Sequence, residues 1–218
     1  MINTRAFFLL FVAALAVFGC AHPHVVTTWK PVNTKHILLN KILVTGIVQD
    51  TNLALRQLME QQFVTDLKSR GYNAVAATEE FGPGGLANLQ QEQTYQKLCG
   101  QGIDAVLTIA LLDKKKEQKY VPARVHYYSS LYYYNRVWDY KKIRADLLNQ
   151  PDSNSKDTQY LWECILFDLS TLQPLYSAQT RSFDPALTTS EAQGYANRMV
   201  NLLLKEKLIA KPEPVKAF

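Results

Sequence analysis

The class of fold is constrained first by a change of hydrophobic period between residues 36 and 77. His36–Val48 (His-Ile-Leu-Leu-Asn-Lys-Ile-Leu-Val-Thr-Gly-Ile-Val) is rich in aliphatic and β-branched residues. Such a run reads as a strand buried on both faces, inside a sheet that helices cover. Asn52–Arg70 then places Leu55, Met59, Phe63 and Leu67 at helical spacing, with Asp50 as the expected N-cap and Gly71 where the helix ends. Tyr72–Ala77 is a second, short strand. A β-α-β opening implies parallel strands joined by a right-handed crossover.

The remainder continues that pattern. Thr78–Gly85 is a loop whose glycines suggest a phosphate cradle, but no Gly-Lys-Ser/Thr ending follows. Asn88–Leu98 reads as a polar helix with Leu89, Tyr95 and Leu98 as its apolar contacts, closed by Gly100 and Gly102. Ile103–Leu112 is another buried strand. Asn149–Asp157 is a turn or loop, and Thr158–Leu169 and Leu175–Phe183 form an antiparallel hairpin about the turn Ser170–Pro174. Thr188-x-x-Glu191 has the spacing of a capping box. The last helix runs to Leu208, with Tyr195, Met199, Val200, Leu203 and Leu204 toward the core, and Lys211–Phe218 is a loose tail. The order is β-α-β-α-β, a Tyr-rich arm, then β-β-α. It predicts a single α/β (α+β) domain over 36–210, with a mixed sheet of about five strands and three helices.

Ahead of this domain lies Met-Ile-Asn-Thr-Arg, then the apolar run Ala6–Phe18, then Gly19 and Cys20. The run is shorter than the about 20 residues a spanning helix needs and fits a secretory h-region. Val17-Phe18-Gly19-Cys20 resembles the lipobox of a bacterial lipoprotein signal. The alternative is an ordinary cleaved signal with a chance cysteine. The resemblance implies cleavage between Gly19 and Cys20, diacylglyceryl on the Cys20 thiol, and N-acylation of the new terminus, palmitate being such a chain. Two or more acyl chains hold stably, at about 0.8 kcal/mol per buried CH₂. Ala21 stands where an Asp retains such proteins at the inner membrane, which implies the outer membrane with the body in the periplasm. Residues 1–19 are then the signal peptide. Residues 20–35 are a lipidated tether with a reach of about 20 Å.

The net charge of +5 is mild. It points neither to nucleic acid nor to a strong steering field. Of the 3 cysteines, Cys20 is assigned to lipid. Cys99 and Cys164 remain, either as a disulfide in an oxidising compartment or as free thiols. Asp113–Lys119 carries Lys114, Lys115, Lys116 and Lys119. It reads as a solvated strand end, or as an electrostatic contact with an acidic envelope polymer or lipid headgroups. Tyr120–Tyr140 is the least ordinary stretch: 7 of the 12 tyrosines lie there, with Trp138. Tyrosine offers an apolar ring with a polar tip and is enriched at recognition surfaces. Tyr127, Tyr128, Tyr132, Tyr133, Tyr134 and Trp138 are therefore candidates to contact an envelope protein or glycan. The competing reading is a twisted hairpin arm packed on its own aromatics.

Lys41–Val48 running into Arg56–Gly71, Tyr132–Tyr140 (Tyr-Tyr-Tyr-Asn-Arg-Val-Trp-Asp-Tyr), and Leu166–Ser177 followed by Ala178–Pro185 together resemble a group of Gram-negative, proteobacterial outer-membrane lipoproteins. In architecture the chain is similar to the set that contains the TolB amino-terminal domain, the curli secretion lipoprotein and the penicillin-binding-protein activator lipoproteins. The resemblance implies docking or assembly without a catalytic centre. It transfers no site residue, because the group has no defined site. Residues 141–157 depart from the pattern and suggest a specialised arm tip.

Residue chemistry adds little. His22-Pro-His24 supplies two metal ligands without a third, and His36 and His126 have no nominated partners. Ser129 and Ser130 lack a Gly-x-Ser-x-Gly setting. Asp104, Asp113, Asp139, Glu163 and Asp168 are scattered carboxylates among which a glycosidase pair is conceivable. The expectation is a non-catalytic envelope lipoprotein with no metal, no cofactor beyond the lipid on Cys20, and no nucleic-acid partner. The alternatives are an envelope glycan hydrolase using a carboxylate pair, or a small-molecule or lipid carrier with an apolar cavity.

Overall fold

The computed structural model describes residues 24–31, 37–48, 52–84, 91–115, 159–181 and 188–210. The elements are β1 (His24–Trp29), β2 (Ile37–Leu38), β3 (Ile42–Ile47), α1 (Leu53–Ser69), β4 (Ala74–Ala76), α2 (Ala77–Phe81), α3 (Gln91–Gly100), β5 (Ala105–Lys115), β6 (Gln159–Asp168), β7 (Pro174–Arg181), α4 (Thr189–Lys205) and β8 (Ile209–Ala210). Six strands form one mixed sheet in the order β1-β7-β6-β5-β3-β4. β3 pairs in parallel with β4 and with β5, and the β5-β6-β7-β1 side is antiparallel. The α/β class, the β-α-β opening and the late hairpin are as expected.

Three expectations are corrected. The stretch read as a tether contains β1, which lies along β7 from His24↔Arg181 to Trp29↔Ser177. Val25, Val26, Thr27 and Thr28 are β-branched and suit a pleated surface. Residues 24–29 therefore belong to the main sheet, which has a sixth strand. His36–Val48 is two strands, because the Asp104 carboxylate draws the chain aside between them. It accepts the N–H groups of Asn40 (2.6 Å) and Lys41 (3.2 Å) and the Asn40 side chain (3.0 Å). The short β2 pairs instead with β8, which follows α4. The helix cap is Asn52, whose Oδ1 accepts the Leu55 N–H at 3.2 Å, while Asp50 lies outside the described residues.

The two faces of the sheet differ. α1 and α4 cover the first, where Ile42, Val44, Leu107, Ile109, Trp162, Cys164, Leu166, Tyr176 and Ala178 meet Met59, Phe63, Leu67, Tyr195, Met199 and Leu203 in one cluster. Each large apolar side chain buried there contributes about 1.5–3 kcal/mol. The Phe63 and Tyr195 rings meet edge to face at 5.7 Å and tie the two helices together. The second face carries a smaller cluster of Leu43, Ile47, Val106, Ala110, Ile165 and Phe167 with Ala77, Leu98 and Ile103. Gly71 (φ 87°) and Gly102 (φ 69°) end α1 and α3 in the left-handed conformation that glycine adopts freely. No helix among the described residues is long and apolar enough to cross a membrane.

Candidate functional site

Open α/β sheets bind ligands beyond the carboxyl ends of their parallel strands, where successive connections leave a strand in opposite directions. Here that strand is β3, flanked by β4 and β5. β4 is short and pairs only with Ile42–Val44, so β3 runs past it. At that point α1 supplies a buried carboxylate. Glu60 Oε1 accepts the Gly46 N–H at 2.8 Å. Glu60 Oε2 accepts the Thr78 N–H at 2.8 Å and the Thr78 hydroxyl at 2.6 Å. The side chain replaces the strand neighbour that β3 lacks and caps the start of α2.

Burial is the largest influence on Glu60 and pushes its carboxyl up from the ordinary value of 4.5; the hydrogen bonds from Thr78 and Gly46 and the charge of Arg56 pull it back down. Gly46 is needed for the close approach: a Cβ there would stand 2.9 Å from Arg56 Cγ. Arg56 in turn donates to the Pro83 carbonyl at 2.9 Å. Glu60, Thr78 and Arg56 thus line the described part of this corner. Glu60 was not among the sequence candidates. Its signal is its place in the buried stripe Leu55, Met59, Glu60, Phe63, Val64, Leu67 of α1.

The other nominated carboxylates are dispersed, and Asp104, Asp168 and Glu163 are each hydrogen-bonded. Asp104 sits before β5 and holds the β2–β3 bend. Asp168 ends β6, where its Oδ1 accepts the Ser170 N–H (2.8 Å) and hydroxyl (2.7 Å) and its Oδ2 the Thr171 hydroxyl (3.1 Å). Glu163, on the second face of β6, is buried and accepts Gln179 Nε2 at 2.9 Å. Asp113 lies opposite Leu161 in the β5–β6 ladder. Asp139 lies outside the described residues, as do Gly19, Cys20, His22, His36, His126, Ser129, Ser130, Tyr127, Tyr128, Tyr132, Tyr133, Tyr134 and Trp138. Among the described residues, no group of three His, Cys, Asp or Glu side chains is placed to hold a metal ion.

Of the two alternatives for Cys99 and Cys164, a disulfide or free thiols, the structure has both as free thiols. Cys164 is buried in the cluster under α1 and α4. Cys99 is exposed on α3, whose Leu98 packs on the opposite face of the sheet. The sheet stands between them, and a disulfide requires Cα atoms within about 7 Å. Burial, with Glu163 adjacent, pushes the Cys164 thiol far above its ordinary range.

The sheet brings other singled-out residues to one end. His24 opens β1 opposite Arg181, and Arg181 lies opposite Leu161 of β6. Beyond them Lys114 pairs with Tyr160 and Lys115 with Gln159. The stretch that contains Tyr120–Tyr140 therefore leaves and re-enters the sheet at one ladder position, at the end where β1 begins.

No protein-family model and no curated protein matches the sequence. Solved structures similar to the chain include a singly substituted PelC dodecamer from Paraburkholderia phytofirmans, at 11% identity, with 80% of this chain and 94% of that one covered and a TM-score of 0.41. Lipoprotein GNA1162 from Neisseria meningitidis is similar at 15% identity, over 76% of this chain and 98% of that one, with a TM-score of 0.39.

Proposed function

We propose that the chain is a non-catalytic lipoprotein of the cell envelope, held at the outer membrane by lipid on Cys20 with its body in the periplasm. It serves as a binding or assembly accessory, and the Tyr-rich stretch is its contact with an envelope protein or glycan. The observation that carries this reading is the sequence Met1–Cys20, an apolar run of secretory length ending in Gly19-Cys20. The structure adds support on the non-catalytic side. Glu60 is engaged by Gly46 and Thr78 at the end of β3, and Asp104 and Asp168 are committed to local turns.

Two measurements test it. Cys20→Ser moves the protein from the membrane pellet to the soluble periplasmic fraction, and mass spectrometry finds acyl chains on Cys20 of the parent. Protein that stays in the pellet after the substitution contradicts the anchor. Deleting residues 127–138 leaves the folded core intact and abolishes in-cell crosslinking to the partner. Loss of folding instead makes that stretch part of the core.

A further inference from the structure

We infer that β1 is a detachable edge strand, and that the β7 edge it covers receives the β1 of a second copy of this chain. The inference is independent of the anchor on Cys20. It begins from a contrast in burial between neighbours in one ladder. Leu175, Tyr176, Ser177, Ala178, Gln179 and Thr180 of β7 are all buried, at most 8% exposed. Across the ladder, none of Val25–Lys30 is buried, and Thr28 and Lys30 are exposed. Thr28 lies opposite Ala178, which is 0% exposed and belongs to the cluster under α1 and α4. The cover that those helices give β7 therefore stops short of Thr28. Of the half-buried β1 side chains, Val25 packs against that cluster.

What holds β1 is mostly backbone. It closes one edge of the sheet, with β7 as its partner and no strand beyond it among the described residues. Its register shifts between Val25 and Thr27, and such a bulge interrupts the ladder. Past the strand, Lys30 Nζ meets Glu206 Oε2 at 2.6 Å with both side chains partly exposed, and a surface pair of this kind contributes little. Segments with few buried apolar contacts open below the global unfolding transition. β1 is the first of the described elements, so it leaves without drawing another of them out of the sheet. Its departure uncovers backbone N–H and C=O groups along Ser177–Thr180. An unpaired edge recruits another strand. Leu175–Thr180 carries no charge, and Val25–Thr28 is an uncharged β-branched run, so the strand that fits is extended, uncharged and β-branched. The β1 of a second copy restores every pair that the first gave up, and a symmetric exchange loses no contact.

The test uses the chain from residue 20 with Cys20→Ser and Cys99→Ser. One sample adds Thr28→Cys, a second adds Ala178→Cys, and the two are mixed under mild oxidation. Directly opposed residues of an antiparallel pair lie within disulfide reach. The expected product is a covalent dimer that joins the two new thiols. It forms in severalfold excess over a control that mixes Thr28→Cys with Asn73→Cys, exposed just before β4 at the opposite edge of the sheet. Should Ala178→Cys fail to fold, Trp29→Cys mixed with Ser177→Cys carries the test. Lys30→Gln speeds dimer formation by up to about fivefold. Native-state hydrogen exchange gives a second readout: β1 amides lose protection at denaturant concentrations where those of β6 keep theirs. The inference is overturned by a yield no greater than the control, by β1 amides that exchange only with the global transition, or by bridges mainly between two Thr28→Cys copies. That last result would set two β1 edges side by side with neither strand released.

Discussion

Glu60 Oε1 accepts the Gly46 N–H at 2.8 Å, so a helix side chain completes the ladder of a strand that has outrun its neighbour. Glu60→Ala leaves the Gly46 and Thr78 N–H groups and the Thr78 hydroxyl without their acceptor, all of them buried. The expected loss is about 3–5 kcal/mol, against about 1–3 kcal/mol for Glu60→Gln, which keeps one acceptor oxygen. Urea unfolding followed by circular dichroism gives both values. A Glu60→Ala variant as stable as the parent contradicts the role.

Gly46→Ala tests the same corner from the strand. The new Cβ meets Arg56 Cγ at 2.9 Å, while the Arg56 Cα at 3.5 Å is in ordinary contact, so the Arg56 side chain has to shift. Overpacking of this kind costs about 1–3 kcal/mol. Arg56→Ala in the same chain recovers part of that loss, which a double-mutant cycle measures.

Lys207 follows α4 with φ 55°, and its N–H reaches Leu204 O at 3.0 Å while Leu208 N–H reaches Leu203 O at 3.2 Å. This is the position at which helices favour glycine. The left-handed conformation costs an L-residue about 1–2 kcal/mol, and glycine's extra freedom in the unfolded chain offsets about 0.5–1 kcal/mol of that. Lys207→Gly therefore stabilises the fold by about 0.5–1 kcal/mol, seen as a higher denaturant midpoint at unchanged slope.

What the sequence disclosed divides along physical lines. The buried β3, the helix α1 and the β6–β7 hairpin were legible because their apolar periods are local and their ends carry turn residues such as Gly71. β1 was hidden, although Val25–Thr28 is a β-branched run. It is six residues long, and the partner that makes it a strand, β7, is about 150 positions away. The break at Asn40 was hidden for the same reason, since it depends on Asp104. Glu60 was missed because a charged residue inside a helical stripe reads as surface until the strand edge beside it is known. The cysteines separated onto opposite faces because Leu98 and Cys164 belong to different layers, which spacing along a chain does not reveal.

The two free thiols give a direct readout of that layering. In the Cys20→Ser chain, a thiol reagent titrates Cys99 in the native state and reaches Cys164 only on unfolding, and reductant leaves the unfolding midpoint unchanged. Two protected thiols that appear only after reduction would establish the bridge instead. Cys99 also holds the Tyr95 phenol above its ordinary range, through a hydrogen bond first and its charge second. Cys99→Ala is expected to lower the Tyr95 titration midpoint.

The pH dependence of stability follows from Glu60 and has a definite sign. Its carboxyl is raised in the folded state from the ordinary 4.5. The folded protein therefore takes up this proton before the unfolded chain does as pH falls. The resulting stability is fully present below the unfolded value and is lost as pH rises through the folded one. Glu191 runs the other way. Its carboxylate accepts the Thr188 hydroxyl (2.7 Å) and N–H (3.0 Å), which hold it below its ordinary value, so its contribution is present at neutral pH and lost on acidification. Glu60→Gln removes only the first effect. The stability difference between the parent and Glu60→Gln should fall as pH rises above about 4.5, the unperturbed carboxylate range. Urea midpoints at stepped pH measure it, and a difference that grows with pH would show that the hydrogen bonds from Gly46 and Thr78 outweigh the burial of the charge.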